Sequence, residues 1–172
     1  MKAFLEPLGQ LEAFSELKGK LMKTPGITLL SGCVESQKTH MAYGFGADFK
    51  RRLILTYSEK KAKEIYEEYR FFDRGVQLYP AKDFLFFHAD IQGKLLQQQR
   101  ICAVKAILSQ EEATVITTLD GCMDRLLPLE EIEKLLLHME VGGVLNMDAW
   151  AAKLVFLGYE RVGQVESPGQ FA

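Results

Sequence analysis

Between Gly26 and Thr118, short runs of aliphatic and β-branched residues alternate with charged, amphipathic stretches, and that alternation restricts the fold more than any other feature of the chain. Gly26–Gly32 (GITLLSG), Arg52–Ser58, Val76–Pro80 and Ala113–Thr118 read as strands. About Lys38 to Lys50 reads as a helix. A second follows, in which Ala62, Ile65, Tyr66, Tyr69 and Phe72 recur at helical spacing among Lys60, Lys61, Glu64, Glu67 and Glu68. In a third, Leu96, Ile101, Val104, Ile107 and Leu108 share one face. Strands that alternate with helices pair in parallel, because each parallel connection needs a crossover long enough to hold a helix. Apolar residues that run continuously along the strands predict a sheet covered on both faces. The loop after the first strand is then expected at the carboxyl edge of the sheet, where such folds bind ligands.

That loop, Ser31–His40 (SGCVESQKTH), nearly spells a phosphate cradle. The functional pattern is Gly, four residues, Gly, Lys, then Ser or Thr. Gly32, Lys38 and Thr39 hold their places, but Gln37 stands where the second glycine belongs. In a working loop the backbone N–H groups turn inward around the phosphates, and a glycine before the lysine lets the main chain approach without a β-carbon. Gln37 restores that β-carbon, and Glu35 adds a carboxylate where phosphate charge would lie. Gly32 is expected to serve a tight turn, and Lys38 and Thr39 to begin a helix. A metal-binding carboxylate would have to be Asp120, after VITTL, and no glutamate follows it; it reads instead as the cap of a short helix starting near Gly121. No catalytic residue, bound cofactor or metal is expected.

The rest of the chain narrows the function by exclusion. Its 21 basic and 23 acidic side chains leave a net charge of -2, so nothing overall draws it to nucleic acid or an anionic membrane. Cys33, Cys102 and Cys122 form no Cys-x-x-Cys pair, and His40, His88 and His138 lie in unrelated segments, which supports neither a disulfide framework nor a metal site. No apolar run reaches the roughly 18 residues of a membrane span, and the acids and proline of the first residues do not suit a signal peptide. A reducing, cytoplasmic setting follows. Tyr79, Phe84, Phe86 and Phe87 could stack on bases, but only Lys82 and Lys94 accompany them, so they read as core or as a partner contact. Glu130, Glu131 and Glu133 read as a solvated helix face.

Around Pro128 the pattern changes: a proline, an acidic cluster and the Gly142-Gly143 turn interrupt it. A boundary is placed there, giving a first subdomain over 1–127 and a second over 128–172. Asn146 is expected to cap a helix over Met147–Leu157, Gly158 to end it, and Glu160–Ser167 to form a strand. The chain then stops at PGQFA with no closing element, as a truncated piece would.

The degenerate loop, YPAKDFLFF, a helix ending near Arg100, VITTLDGCMDRLLP and LGYERVGQVESPGQFA together resemble the amino-terminal module of the bacterial transcription-repair coupling factors. The likeness runs from about Gly26 to the last residue. It is most specific over Leu157–Ala172 and at Met123, Arg125, Leu126 and Pro128. It implies an α/β fold with a RecA-like three-layer parallel sheet and a degenerate phosphate loop, followed by the start of a small α+β subdomain. The module of that family is similar to the front of the excinuclease protein UvrB, without its ATP binding. Only 16 residues separate Pro80 from Gln97, too few for the long DNA-clamping hairpin of UvrB.

The resemblance further implies a non-catalytic recruiting role. The excinuclease protein UvrA would be engaged by the second subdomain, from about Pro128 onward, through contact residues expected after Ala172. RNA polymerase, DNA, ATP and Mg would be handled by translocase domains elsewhere in the parent. The alternative is a nucleotide-binding, UvrB-like ATPase fragment that keeps Lys38 and Thr39 in use.

Overall fold

Three parallel strands, in the order β1-β3-β2, form the sheet around which the first part of the chain is built: β1 is Arg51–Thr56, β2 is Gln77–Tyr79 and β3 is Ala113–Thr118. The computed structural model describes residues 4–82, 90–109, 112–137, 139–167 and 169–172. The chain divides into two compact units, Met1–Arg125 and Leu126–Ala172.

In the first unit β3 lies between its neighbours, with Ile54 and Leu78 both in register with Ile116. All six β3 residues are buried, as expected of a central strand covered on both faces. One face carries Ile54, Leu78 and Ile116. Against it pack Tyr43 from α3 (Glu35–Gly46) and Ala62, Ile65, Tyr66 and Tyr69 from α4 (Glu59–Tyr69). On the other face α5 (Asp90–Ser109) contacts β2 and β3. The expectation of two covered faces fails at β1, where Leu53 and Leu55 stay 59% and 54% exposed.

Two sequence expectations are corrected here. Gly26–Gly32 is not a strand: the segment has no ladder partner among the described residues, and Ile27 and Leu29 are fully or nearly fully exposed. β-branched composition is a tendency that a neighbouring strand must complete with hydrogen bonds and a face to bury. The face of α5 is also rotated from the one read off hydropathy. Ile101 is exposed, while Arg100, Ala103, Val104 and Ala106 are buried. Small alanines let the helix come close to the sheet, and the buried arginine carries its own partners.

Two further helices, α1 (Glu6–Gly9) and α2 (Glu12–Lys23), precede the sheet. Leu8 and Phe14 from them bury Met41 of α3.

The second unit holds α7 (Leu129–Leu135), α8 (Met147–Phe156) and a two-residue parallel pair, β4 (Glu160–Arg161) with β5 (Gln170–Phe171); α6 (Leu119–Met123) belongs to the first unit. Asn146 caps α8, its side-chain oxygen accepting the Ala149 N–H at 3.1 Å. Gly158, at φ +89°, ends it: its N–H donates to Val155 O and that of Tyr159 to Leu154 O, the paired bonds of a Schellman motif. The strand expected over Glu160–Ser167 shrinks to Glu160–Arg161, since beyond Val162 the 166–167 N–H groups turn to the Gln170 side chain. No residue of α7 or α8 is buried.

Candidate functional site

The loop before α3 and the first turns of that helix place the near-motif side chains in contacts within the first unit. Gly32 adopts φ +81°, a left-handed conformation that favours glycine, and so makes the turn expected of it. The helix then begins at Glu35, three residues ahead of the lysine. Gln37 is therefore an exposed helical residue, and the Lys38 N–H donates to Val34 O at 3.1 Å as an ordinary helix bond. Lys38 Nζ donates to Glu35 Oε1 at 2.6 Å, and Lys61 Nζ from α4 lies 2.8 Å from Glu35 Oε2. The Lys38 bond, and then the Lys61 bond, lower the Glu35 pKa to about 2. Lys61 is correspondingly raised, chiefly by Glu35. Thr39 is buried, and its hydroxyl donates to Glu68 Oε2 at 2.6 Å, toward α4. Sequence spacing reveals neither Lys61 nor Glu68 as a partner, because both lie on a helix more than twenty residues away.

At the carboxyl edge of the sheet a second set of charges converges. Glu59, the first residue of α4, accepts the Thr118 hydroxyl at 2.6 Å and the Ala81 N–H at 3.2 Å on one oxygen. Arg100 donates to Pro80 O at 2.7 Å and to Asp124 Oδ2 at 2.9 Å, reaches the Tyr79 hydroxyl at 2.5 Å, and stacks its guanidinium 4.1 Å from the Tyr79 ring centre. Asp124 Oδ2 also accepts the Lys82 N–H at 3.3 Å. Three side chains from three parts of the unit thus satisfy the backbone of residues 80–82 as it leaves β2. Burial raises the Tyr79 phenol above its ordinary value, against the pull of Arg100.

Asp120 does not cap α6. Thr118 does, its hydroxyl oxygen accepting the Gly121 N–H at 3.1 Å, while Asp120 sits exposed in the first turn of that helix. Asp120 therefore has the position of an acid that favours a helix start, with the capping oxygen supplied two residues earlier. Phe84, Phe86, Phe87 and His88 lie outside the described residues, as does His138. Among the described residues no group of three His, Cys, Asp or Glu side chains could hold a metal ion, and no helix is long and apolar enough to cross a membrane.

The first unit is thus an α/β frame with a small parallel sheet, and its sequence relatives are specific. The chain is 27% identical over 147 residues to the transcription-repair-coupling factor of Staphylococcus epidermidis, a match that covers 84% of this chain and 13% of that protein. It is 28% identical over 100 residues to that of Bacillus subtilis, covering 58% of this chain and 8% of that protein. Against the Staphylococcus aureus protein the identity is 26% over 148 residues, 84% of this chain and 13% of that protein. No protein-family model matches. The resemblance drawn from the sequence is borne out by these matches, and the chain spans only 13% of the length of the first of these relatives.

Proposed function

We propose that the chain is an amino-terminal recruiting module of a transcription-repair coupling factor, and that it does no nucleotide chemistry itself. Its first subdomain, 1–127, serves as a RecA-like scaffold. Its second, from Pro128, begins the surface that engages the excinuclease protein UvrA. In the parent, ATP and Mg belong to translocase domains that act on DNA and displace stalled RNA polymerase, in the cytoplasm. The observation that carries this reading is the 147-residue match to a transcription-repair-coupling factor.

Three features of the loop support the non-catalytic half. An amide that a phosphate cradle would aim at oxygen is bonded within α3. The lysine ammonium is held by Glu35 and the threonine hydroxyl by Glu68. An entering phosphate would have to compete with a carboxylate already between two lysines, and like charges at that range oppose binding. Calorimetry with Mg-ATP is expected to show no heat of binding at millimolar nucleotide; saturable binding overturns this half. For recruitment, full-length parent protein mixed with purified UvrA is expected to form a complex that is weakened in a parent lacking residues 128–172, where the engaging surface begins. Undiminished binding by the deleted form overturns it.

A second reading, a UvrB-like nucleotide-binding ATPase fragment, is favoured by Lys38 and Thr39 standing in their motif positions. It predicts a measurable ATP turnover that Lys38→Ala abolishes. No turnover in the unaltered protein removes it.

A further inference from the structure

At the amino-terminal edge of the sheet, opposite the loop, the first unit holds a cleft of about 420 Å³. That volume lies in the range of small-ligand sites. Its wall is aromatic on one side, with Tyr43 and Phe72 stacked at 5.2 Å between ring centres. On the other side stand Arg52, Asp73 and Glu112.

Arg52 is the unusual member. Its side chain is 10% exposed, yet its Nε is buried with no hydrogen-bond partner, and its Nη2 is only loosely held, 3.4 Å from Glu112 and 3.8 Å from Asp73. A buried guanidinium carries five donors and ordinarily finds acceptors for them. Asp73 is partly committed elsewhere, its two oxygens accepting the Gly75 N–H at 2.8 Å and the Thr114 hydroxyl at 3.2 Å, and its Oδ2 stays 3.8 Å from Arg52 Nη2. Glu112, by contrast, has a side chain 65% exposed, so most of its acceptor capacity faces outward. With Nε itself buried, the cleft offers the weakly held Nη2 of Arg52 beside an acceptor short of donors, with aromatic surface alongside.

We propose that this cleft binds a planar amide edge, its oxygen accepting from Arg52 and its N–H donating to Glu112, with the attached apolar or aromatic body lying against Tyr43 and Phe72. A neutral amide suits the charges: one guanidinium and two carboxylates leave the lining net negative, which disfavours an anion. The same edge, with C=O and N–H side by side, occurs on a primary carboxamide such as an Asn or Gln side chain and on a guanine base, whereas a trans peptide bond points the two groups apart. This site is independent of the loop and of the recruiting role, so it stands or falls apart from them.

Two probes distinguish the sources: N-acetylphenylalanine amide and guanosine, each titrated to 10 mM into the 172-residue chain and followed by amide NMR. Saturable shifts at Ala47 and Gly75, which line the cleft, are expected with at least one of them. Shifts with the first alone assign a carboxamide ligand, and shifts with the second alone assign a base. Glu112→Ala, a change at an exposed side chain, is expected to weaken that binding about tenfold, the size of one hydrogen bond to a charged group. No saturable shift at either residue with either probe, or undiminished binding by Glu112→Ala in a chain with unaltered amide dispersion, overturns the proposal.

Discussion

Two clusters of charge in the first unit use the same chemistry and differ in burial. Around Glu35 the carboxylate and Lys38 are both more than half exposed. Around Arg100 the guanidinium and Asp124 are 9% and 14% exposed and lie 2.9 Å apart. Water screens the Glu35–Lys38 pair, and that bond can be exchanged for a bond to solvent at little cost, while Lys61 on the other oxygen is 21% exposed. In the second, each group depends on the others, because desolvation leaves no alternative partner. The contrast teaches that the group most noticeable in the sequence, the lysine of the near-motif, has weak structural consequences. An arginine that no motif points to holds three segments together.

The largest effect is expected from breaking the buried cluster. Asp124→Ala leaves Arg100 without its carboxylate and is expected to cost about 3 kcal/mol, read as a lower urea midpoint. A midpoint unchanged by this substitution would place the two clusters on the same footing. Next comes Thr118→Val, which removes both the hydroxyl bonded to Glu59 and the oxygen capping α6. The expected loss is about 1–2 kcal/mol, together with faster hydrogen exchange at the Gly121 amide.

The smallest effect belongs to Glu35→Gln, which is expected to leave the urea midpoint unmoved at physiological salt. Its pH behaviour sharpens the comparison further. The Glu35 carboxyl is lowered on folding, so the little stability that screening leaves to the pairing is present above 4.5 and is lost as pH drops toward about 2. NMR titration of Glu35 is expected to show a midpoint below 4.5, with Lys38→Met or Lys61→Met raising it. A midpoint that ignores both substitutions would mean that neither ammonium holds the carboxylate.

Much of the frame was legible. The runs over Arg52–Ser58, Val76–Pro80 and Ala113–Thr118 are strands within one or two residues at either end, and their parallel pairing follows from the helices between them. The Asn146 cap and the Gly158 stop lie where local rules put them, because both depend on bonds reaching only three to five residues along the chain. The run over Gly26–Gly32 misled for the opposite reason: its composition resembles a strand, but pairing is supplied by a neighbour, and among the described residues it has none. Arg100 was invisible because hydropathy assigns a charged residue to solvent, and its buried place depends on Asp124 and Pro80, each at least twenty residues away.

By itself, the order of residues decided the three strands of the main sheet and the helices between them, where α8 starts and stops, and that Lys38 and Thr39 would stand in near-motif places without the neighbouring glycine. Those outcomes rest on periodicity and on hydrogen bonds closed within a few residues. Only the tertiary structure decided that Glu35 joins Lys38 to Lys61, that Thr39 turns to Glu68, and that Arg100, Glu59 and Asp124 meet around residues 80–82. Such partners are selected by the packing of α3, α4 and α5 on the sheet, and a side chain separated by tens of residues leaves no periodic trace of the one it will meet.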